Sequence, residues 1–445
     1  MDTETENFTA DVIVVGAGFA GATAARGLAE RGHSVLIVEG RNRIGGRVHY
    51  REFAGTTMML EMGGTWVNPR YQPHIAAELS RYETATFPSP KPSEYAWGLN
   101  GEVIRSTIPL PASEWMHLER VLAGISHAAK RVRFLRVPMG QPGLEDLDVP
   151  LSDWLDDFAL PPRTRDFVLA WPSFYMGVDP SEVSALHFLT WTAGFNNSAV
   201  AYLTELTDKV KGGTVGLVEK MITDSGAEVR LDTSVVAVTQ DSGQVRVRTG
   251  TGEELRARGL VVTAPVNTWH NIDFEPALTG AYAAMAADGQ PAHTIKVWIL
   301  VRGLEEDFFG VGKTTVFKWL ASEYHTQDGT YMVGFSLPDD LDPRDTGAVA
   351  RAVHEFLPNV EVLRTDFHDW NADPFSQGTW MAFRPGQIMR NTPGFLEPHG
   401  SVLFAGSDVA HGWAGWIDGA IESGARAAEQ LDRQLNAATV TAVTR

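Results

Sequence analysis

Three glycines near the N-terminus have the spacing of a phosphate-binding turn. Gly16, Gly18 and Gly21 form the pattern G-x-G-x-x-G directly after the β-branched run at 11–15. In such a turn the first glycine permits a tight bend and the second lets the backbone approach a pyrophosphate. The third allows a helix to pack closely on a strand. A lone match is weak evidence, so its meaning depends on the residues around it.

Glu39 provides the context that the glycine pattern needs. It ends a second β-branched run at 34–38, and a carboxylate at this point of a βαβ unit accepts hydrogen bonds from adenosine ribose hydroxyls. Downstream, Arg41, Gly46 and Arg47 offer a second set of groups for an anion, since arginine binds phosphate bidentately and glycine permits close approach. The residues predict a dinucleotide site and leave open whether NAD or FAD is bound.

The elements that must position these residues alternate as a parallel α/β unit. Buried strands are predicted at 11–15 and 34–38, with a helix at 22–31 between them. Further strands are predicted at 228–231, 235–239, 244–248, 260–263, 294–301, 330–335 and 401–405, and helices at 112–137, 184–193, 214–225, 348–357 and 417–435. The stretch 78–206, rich in Leu, Trp and Arg, is typical of a separate helical lobe, so the two lobes are expected to interleave along the chain.

Composition excludes several classes of protein. A length of 445 residues predicts two or three domains, and a net charge of -18 makes nucleic acid an unfavourable partner. The absence of cysteine excludes disulfides, thiolate metal sites and a cysteine nucleophile, and no metal site is expected. Neither a signal-peptide pattern nor an apolar run of about 18–20 residues is visible, so a cytoplasmic protein without a membrane partner is expected.

Further glycine-rich motifs follow in a fixed order along the chain. They are Glu61-Met62-Gly63-Gly64-Thr65-Trp66-Val67, Lys211-Gly212-Gly213, Val235-Val236, Ala264-Pro265, Thr294-Ile295-Lys296-Val297, Phe404-Ala405-Gly406-Ser407-Asp408 and Gly415-Trp416-Ile417-Asp418-Gly419-Ala420. With the first glycine turn, this order resembles the flavin-containing amine oxidase family, which includes monoamine and polyamine oxidases. The resemblance covers nearly the whole chain and is far more specific for the family than for the substrate.

The resemblance implies an α/β fold with a second lobe of the α+β type. A Rossmann-type FAD-binding domain is expected at 8–80, 206–285 and 396–435. It would be interleaved with a substrate-binding domain of mixed sheet and helices at 81–205 and 286–395. The FAD is expected to be non-covalent, because the chain has no cysteine for the thioether that some family members form.

The resemblance also assigns residues to the flavin. Besides Gly16, Gly18, Gly21, Glu39, Arg41, Gly46 and Arg47, the implied contacts are Gly63, Gly64 and Thr65 beside the ring, Val236 at the adenine, Asp408 at the ribityl hydroxyls, and Trp416 and Ile417 at the start of the last helix. The positive end of that helix would face the flavin N1–C2=O edge. From the residues alone, Lys296 is more simply an edge-strand lysine that reaches solvent. The resemblance instead implies a water-bridged contact with flavin N5.

Two tryptophans match positions at which family members flank the substrate nitrogen with aromatic rings. These are Trp416 and Trp380, and the resemblance gives them, with Lys296, the catalytic roles. The alternative is that they belong to the hydrophobic core, since the chain has 13 tryptophans. The other predicted pocket residues are Trp66, Phe174, Tyr175, Phe195, Tyr202, Leu206 and Trp413.

The chemistry that the resemblance implies is oxidation of a neutral amine to an imine, which hydrolyses to a carbonyl compound, with O₂ reduced to hydrogen peroxide. The segment 63–67 has no arginine, and the nearest are Arg51 and Arg70, which favours an amine without a carboxylate. The aromatic second lobe favours a hydrophobic or aromatic primary or secondary amine. Alternatives are an L-amino-acid oxidase, and a flavin desaturase or dehydrogenase with another acceptor. Glu205 and Asp208 would suit a polyamine, and a homodimer is allowed.

Overall fold

The computed structural model of the protein describes residues 8–135, 139–204, 208–241 and 243–443. Its helices are α1 (Phe19–Ala29), α2 (Pro73–Arg81), α3 (Trp115–Ala129), α4 (Leu151–Asp156), α5 (Pro162–Tyr175), α6 (Ala185–Gly194), α7 (Ala199–Thr204), α8 (Thr214–Ser225), α9 (Gly280–Asp288), α10 (Thr346–Phe356), α11 (Gln387–Asn391) and α12 (Ile417–Val443). Its strands are β1 (Val12–Val15), β2 (Val35–Val38), β3 (Tyr50–Glu52), β4 (Met59–Glu61), β5 (Trp66–Val67), β6 (Thr86–Pro88), β7 (Glu94–Leu99), β8 (Glu102–Arg105), β9 (Asp208–Val210), β10 (Glu228–Arg230), β11 (Val235–Asp241), β12 (Gln244–Thr249), β13 (Glu254–Ala257), β14 (Gly259–Val262), β15 (Asp273–Glu275), β16 (Ile295–Arg302), β17 (Phe308–Gly312), β18 (Trp319–Thr326), β19 (Gly329–Ser336), β20 (Glu361–Phe367) and β21 (Val402–Phe404).

A parallel sheet carries the first glycine turn. Its strand order in the described residues is β10-β2-β1-β14-β21, and every neighbouring pair is parallel. The strands β1, β2, β14 and β21 are buried along their whole length, which explains their uninterrupted apolar sequences. The sheet joins chain segments that lie far apart in sequence, and the domain boundaries given above stay a prediction.

Two helices pack closely beside this sheet. Helices α1 and α12 meet at Gly27, where a Cβ would lie 2.9 Å from the Cβ of Ala428. A Cβ at Gly424 would overlap the carbonyl oxygen of Ala20. Glycines at these positions therefore let the backbones of α1 and α12 pack closely against each other.

The second lobe is built on a mixed sheet. Its order in the part of the chain that is described is β20-β16-β19-β18-β17-β7-β8, antiparallel except for the β17–β7 pair. Helix α10 buries Val349, Val353 and Phe356 in one core with this sheet. The predicted fold class, α/β with an α+β second lobe, is confirmed.

Several elements of the second lobe were not predicted. The stretch 78–206 contributes the strands β6, β7 and β8 before α3 begins, besides its helices. Strands β17, β18 and β20 were not predicted either. The first two are buried over most of their length, so their sequences lack the alternation that marks a half-buried strand. The helix predicted at 112–137 is a short 3₁₀ turn followed by α3, which ends at Ala129.

A small antiparallel sheet lies at the cavity described below. It has the order β5-β9-β6, and Trp66 of β5 is the register partner of Lys209 on β9. Within the described ranges, no helix is both long and apolar enough to cross a membrane.

Candidate functional site

A cavity of about 1040 Å³ extends from the parallel sheet to the mixed sheet. At one end it is lined by Val15 and Val38, the last residues of β1 and β2. At the other end it is lined by Trp319 and Phe335 of the mixed sheet. Parallel α/β sheets bind ligands at the carboxyl ends of their strands, and the volume is at the upper limit of about 300–1,000 Å³ for small-molecule pockets. The cavity can therefore hold a large cofactor.

The first glycine turn forms one wall of this cavity. Gly16 has a positive φ of +105°, and its backbone N–H donates to the carbonyl of Val38 at 2.7 Å. Gly18 faces Gly46, and a Cβ on Gly18 would lie 3.7 Å from the Cα of Gly46, at the edge of the cavity. Gly21 does not line the cavity. A Cβ there would overlap the carbonyl oxygen of Gly16, so Gly21 permits close packing of α1 on the turn.

Glu39 lines the cavity and is itself held by the turn. Its Oε2 accepts from the backbone N–H of Ala17, and its Oε1 from that of Arg41, each at 2.9 Å. Arg41 also lines the cavity, and its guanidinium donates to both oxygens of Asp373 at 2.7 and 3.1 Å. The carboxylate is thus fixed at the end of β2, whereas the arginine charge is paired with Asp373.

Arg47 bridges two segments that meet at the cavity. Its guanidinium donates to the carbonyl of Thr379 at 2.9 Å, to Ser407 Oγ at 2.9 Å and to Asp408 Oδ1 at 2.5 Å. The other oxygen of Asp408 accepts from the backbone N–H of Val266 at 3.0 Å. Asp408 is buried and is not part of the cavity wall. The carboxylate of Asp408 thus holds Arg47 and Val266, and its predicted contact with a ribityl chain stays a prediction.

Lys296 extends from β16 into the cavity wall and is buried. Its Nζ donates to the carbonyls of Glu61 and Gly63 at 2.7 and 2.9 Å and contacts Thr65 Oγ1 at 2.5 Å. It also lies 5.1 Å from the ring centroid of Trp66. Burial lowers the pKa of Lys296, although the charge of Glu61 acts in the opposite direction. The solvent-exposed alternative for Lys296 is excluded.

Glu61 holds the loop that surrounds Lys296. Its Oε1 accepts from the backbone N–H and the hydroxyl of Thr214 at 2.6 and 2.8 Å, at the first residue of α8. Its carbonyl oxygen also accepts from Trp298 Nε1 at 2.8 Å. Burial raises the pKa of the Glu61 carboxyl. The loop after Glu61 supplies Gly63, Gly64 and Thr65 to the cavity lining, and their contact with a flavin ring stays a prediction.

Trp380 and Trp416 both line the cavity. The segments that carry them pass each other closely, because a Cβ on Gly415 would lie 2.8 Å from the carbonyl oxygen of Met381. The indole N–H of Trp380 donates to the carbonyl of Tyr175 at 2.8 Å, which fixes its ring. The structure thus brings the two predicted rings to one cavity. Val236 and Ile417 line it as well.

The remaining predicted pocket residues divide into two groups. Trp66, Phe174 and Tyr175 line the cavity. Phe195, Tyr202 and Trp413 are buried and do not line it, so their predicted contact with a substrate stays a prediction. Trp413 lies behind Trp416 with ring centroids 5.6 Å apart, and Tyr202 lies behind Tyr175 at 4.9 Å. Leu206, like Glu205, lies outside the described residues.

Other cavity residues were missed in the sequence. Trp319 and Phe335 stand on neighbouring strands with ring centroids 5.3 Å apart, and Phe174 stacks on Trp319 at 4.9 Å. Phe335 lies in a predicted strand, so its position on the inner face was open to prediction. Trp319 gave no such signal because β18 was not recognised. These rings give the far end of the cavity an aromatic wall.

No carboxylate-binding arginine stands among the aromatic residues described for this wall. Arg51 lies outside the lining and donates to both oxygens of Asp366 at 2.7 and 2.9 Å. Arg70 lies outside it too, with its guanidinium 5.1 Å from the ring centroid of Tyr71. The described residues also contain no group of three or more His, Asp or Glu side chains able to hold a metal ion.

Comparison with known proteins identifies the family. A family model described as flavin containing amine oxidoreductase matches residues 19–432. The chain belongs to this family. The amine oxidoreductase is 35% identical over 415 residues to (S)-6-hydroxynicotine oxidase of Paenarthrobacter nicotinovorans, covering 93% of this chain and 97% of that protein. It is 34% identical over 439 residues to nicotine dehydrogenase of Pseudomonas putida, covering 96% of this chain and 89% of that protein.

A solved structure shares the fold of this amine oxidoreductase. Putrescine oxidase bound to putrescine superposes with a TM-score of 0.86 at 23% identity, covering 95% of this chain and 98% of that chain. Family membership confirms the predicted amine-acting oxidoreductase and implies a flavin cofactor. The residues present fit a flavin nucleotide, because Gly18 and Gly46 leave a cradle that a Cβ would fill, and the cavity continues from there past Glu39 to Lys296.

Proposed function

We propose that the protein is an oxidase that uses non-covalently bound FAD to oxidise an amine carrying an aromatic or other hydrophobic group. The observation that carries the proposal is one cavity lined by the glycine turn, by Lys296 and by the tryptophans Trp380 and Trp416. The relatives named for 6-hydroxynicotine and nicotine support an amine attached to a heteroaromatic ring. We further propose the two domains with the boundaries predicted above.

The residues that line the cavity have different roles according to their position in it. The flavin, when bound, accepts a hydride equivalent from the carbon next to the amine nitrogen. The aromatic wall disfavours a charged ammonium group, so the cavity favours the neutral amine that can react. Trp380 and Trp416 restrict where that amine can lie, and burial behind them excludes water. The turn at Gly16 and Gly18 and the carboxylate of Glu39 would hold the nucleotide part.

Among the polar side chains of the cavity, Lys296 is the one that we place closest to the reacting atoms. Its three contacts to the loop at 61–65 fix the position of Nζ in either protonation state, because the hydroxyl of Thr65 can accept or donate. The three N–H groups of Nζ are donated to this loop, so the contribution of Lys296 to the chemistry is its charge, which can polarise oxygen bound beside the flavin. We assign to Lys296 the reaction with O₂, which gives hydrogen peroxide.

The test is amine-dependent reduction of the FAD-loaded protein, followed separately from its reoxidation. Under anaerobic conditions an aromatic amine, first of the nicotine type, is expected to bleach the flavin absorbance, and air is then expected to restore it with release of peroxide. Monoamines, polyamines and L-amino acids complete the panel. Bleaching by amino acids alone would contradict the proposal and move the function to carboxylate-bearing substrates.

A dehydrogenase is the second candidate. The relative from Pseudomonas putida, which aligns over 96% of this chain, is named a dehydrogenase. In that case an amine would bleach the flavin equally well, whereas air would restore its absorbance slowly and a quinone or protein acceptor rapidly. The ratio of the two reoxidation rates therefore decides between oxidase and dehydrogenase.

A further inference from the structure

A buried ion pair stands at the far end of the cavity. Lys209 of β9 and Glu323 of β18 form a salt bridge between Nζ and Oε2, and their side chains are only 3% and 1% exposed. Ser89 Oγ lies 3.1 Å from both carboxylate oxygens and accepts from Trp66 Nε1 at 3.0 Å. No part of the mechanism above uses this pair.

The two partners have different relations to the cavity. Glu323 lines it together with Ser89 and Trp66, whereas Lys209 lies behind and is not part of the lining. Glu323 sits where the register between β18 and β19 shifts, an irregularity of the kind that re-aims a side chain. Lys209 is enclosed by aromatic rings, with Nζ 4.2 Å from the ring centroid of Tyr324 and 5.1 Å from that of Phe87. Glu323 therefore belongs to the cavity wall, and its almost fully buried carboxylate is paired from behind by Lys209.

A buried carboxylate facing a substrate cavity would ordinarily select a cation. Removing the partner of a buried charge leaves that charge uncompensated, and a ligand cation can then take the partner's place. Here Lys209 occupies that place. A substrate with a second ammonium group would meet a neutral ion pair instead of a free carboxylate.

We propose that Lys209 is a specificity-determining residue, which by pairing with Glu323 makes this end of the cavity disfavour amines that carry a second ammonium group. The inference rests on the proposed amine oxidation and states its substrate class. The wild-type cavity would then take monoamines, or amines whose second polar group is uncharged, such as a hydroxyl that can donate to Ser89 Oγ, because the O–H of Ser89 is itself donated to Glu323.

The experiment compares two probes of equal length, hexylamine and 1,6-diaminohexane, with the FAD-loaded protein. The measured quantity is the ratio of kcat/KM for the diamine to that for the monoamine, with anaerobic Kd values from the flavin spectrum as a readout independent of turnover. The wild-type protein is expected to favour the monoamine by at least tenfold. Lys209→Met is expected to raise the ratio at least tenfold, because Glu323 then lacks its cation.

The double variant Lys209→Met/Glu323→Gln is the matched control. It removes both charges and is expected to return the ratio to within threefold of the wild-type value. If Lys209→Met is recovered without FAD, Lys209→Gln carries the same comparison, since its amide can still bond the carboxylate without charge. A wild-type preference for the diamine, an unchanged ratio in the Lys209 variants, or a raised ratio in the double variant would overturn the inference while amine oxidation itself stands. If neither probe nor any other amine is oxidised, the proposed function is wrong, and this inference fails with it.

Discussion

At the residue scale, Lys296 is an ammonium group bonded to two carbonyls and a hydroxyl inside the protein. Burial lowers its pKa from the ordinary value of 10.5. The unfolded chain therefore binds a proton more strongly than the folded one at every pH between the lowered pKa and about 10.5. In that window stability increases with pH, because unfolding takes up a proton on Lys296 and that uptake becomes less favourable as the pH rises.

Lys296→Met is expected to remove this dependence. The free energy of unfolding of the wild-type protein, relative to that of the variant, is expected to rise between pH 8 and pH 10. Urea unfolding at the two pH values measures the difference, and Lys91→Met, at a cavity-rim lysine outside the buried network, serves as the control. A wild-type advantage that stays constant or shrinks with pH would show that Lys296 is not held with a lowered pKa. The same variant is expected to slow reoxidation of the flavin by air.

Trp416 tests the aromatic wall. Replacing it by Ala removes a ring that lines the cavity, and we expect amine turnover to fall at least tenfold while the flavin absorbance of the purified protein is retained. Trp154→Ala is the matched control, because Trp154 makes an edge-to-face contact with Phe158, with ring centroids 5.3 Å apart, and lies outside the cavity lining. Steady-state kinetics normalised to bound FAD measure both. Turnover unchanged in Trp416→Ala would remove Trp416 from the substrate site.

At the element scale, substitutions of the glycines around α1 distinguish a role in FAD binding from a role in helix packing. A Cβ at Gly21 would overlap the backbone of Gly16, so Gly21→Ala is expected to destabilise the fold by about 1–3 kcal/mol. A Cβ at Gly18 has ordinary contacts of 3.6 Å or more, so Gly18→Ala is expected to fold and to bind FAD at least tenfold more weakly. Nothing lies within 4 Å of a Cβ at Gly216 in α8, so Gly216→Ala is expected to stabilise by about 0.5–1 kcal/mol. Thermal unfolding of the FAD-free variants and flavin titration provide the two readouts, and equal FAD affinity in Gly18→Ala would contradict the assigned turn.

The same elements show how far the sequence could predict the structure. The helix at 214–225 was predicted to the residue, because Gly212-Gly213 marks its start in the sequence. In the structure Gly213 precedes it with a positive φ, and Gly226 ends it in the left-handed conformation. The glycine turn was equally clear, since its constraints are local. Strand β18 was missed because it is buried along most of its length and carries no period. Two cavity residues, Trp319 and Glu323, were lost with it.

The predicted site residues that lie outside the cavity lining have a common physical explanation. Asp408, Phe195, Tyr202 and Trp413 lie close in sequence or space to true lining residues, yet they point to the layer behind the wall. Composition places aromatic residues in the lobe, whereas the direction of each ring is decided by packing between helices and sheet. The Lys209–Glu323 pair was invisible for the same reason, because its partners are brought together only by the fold.

At the scale of the whole molecule, the cavity couples the two sheets. Its lining includes Val15 at the parallel sheet, Trp319 and Phe335 on the mixed sheet, and Trp416 beside the last helix. A ligand that fills the cavity contacts chain segments from all of these parts. Binding to the folded state alone stabilises it by about 2.7 kcal/mol at a ligand concentration of 100 Kd.

FAD is therefore expected to stabilise both lobes together. Differential scanning calorimetry of the FAD-free protein with added FAD is expected to show one transition whose Tm rises with FAD concentration. In Gly18→Ala the rise is expected to need at least tenfold more FAD, whereas in Gly216→Ala it is expected to follow the wild-type curve. If two transitions appear and FAD raises the Tm of only one, the lobes unfold independently and binding in the cavity does not couple them. If a single transition shifts, the two lobes unfold cooperatively, and the same cooperative unit that binds FAD also positions the cavity residues from distant parts of the chain.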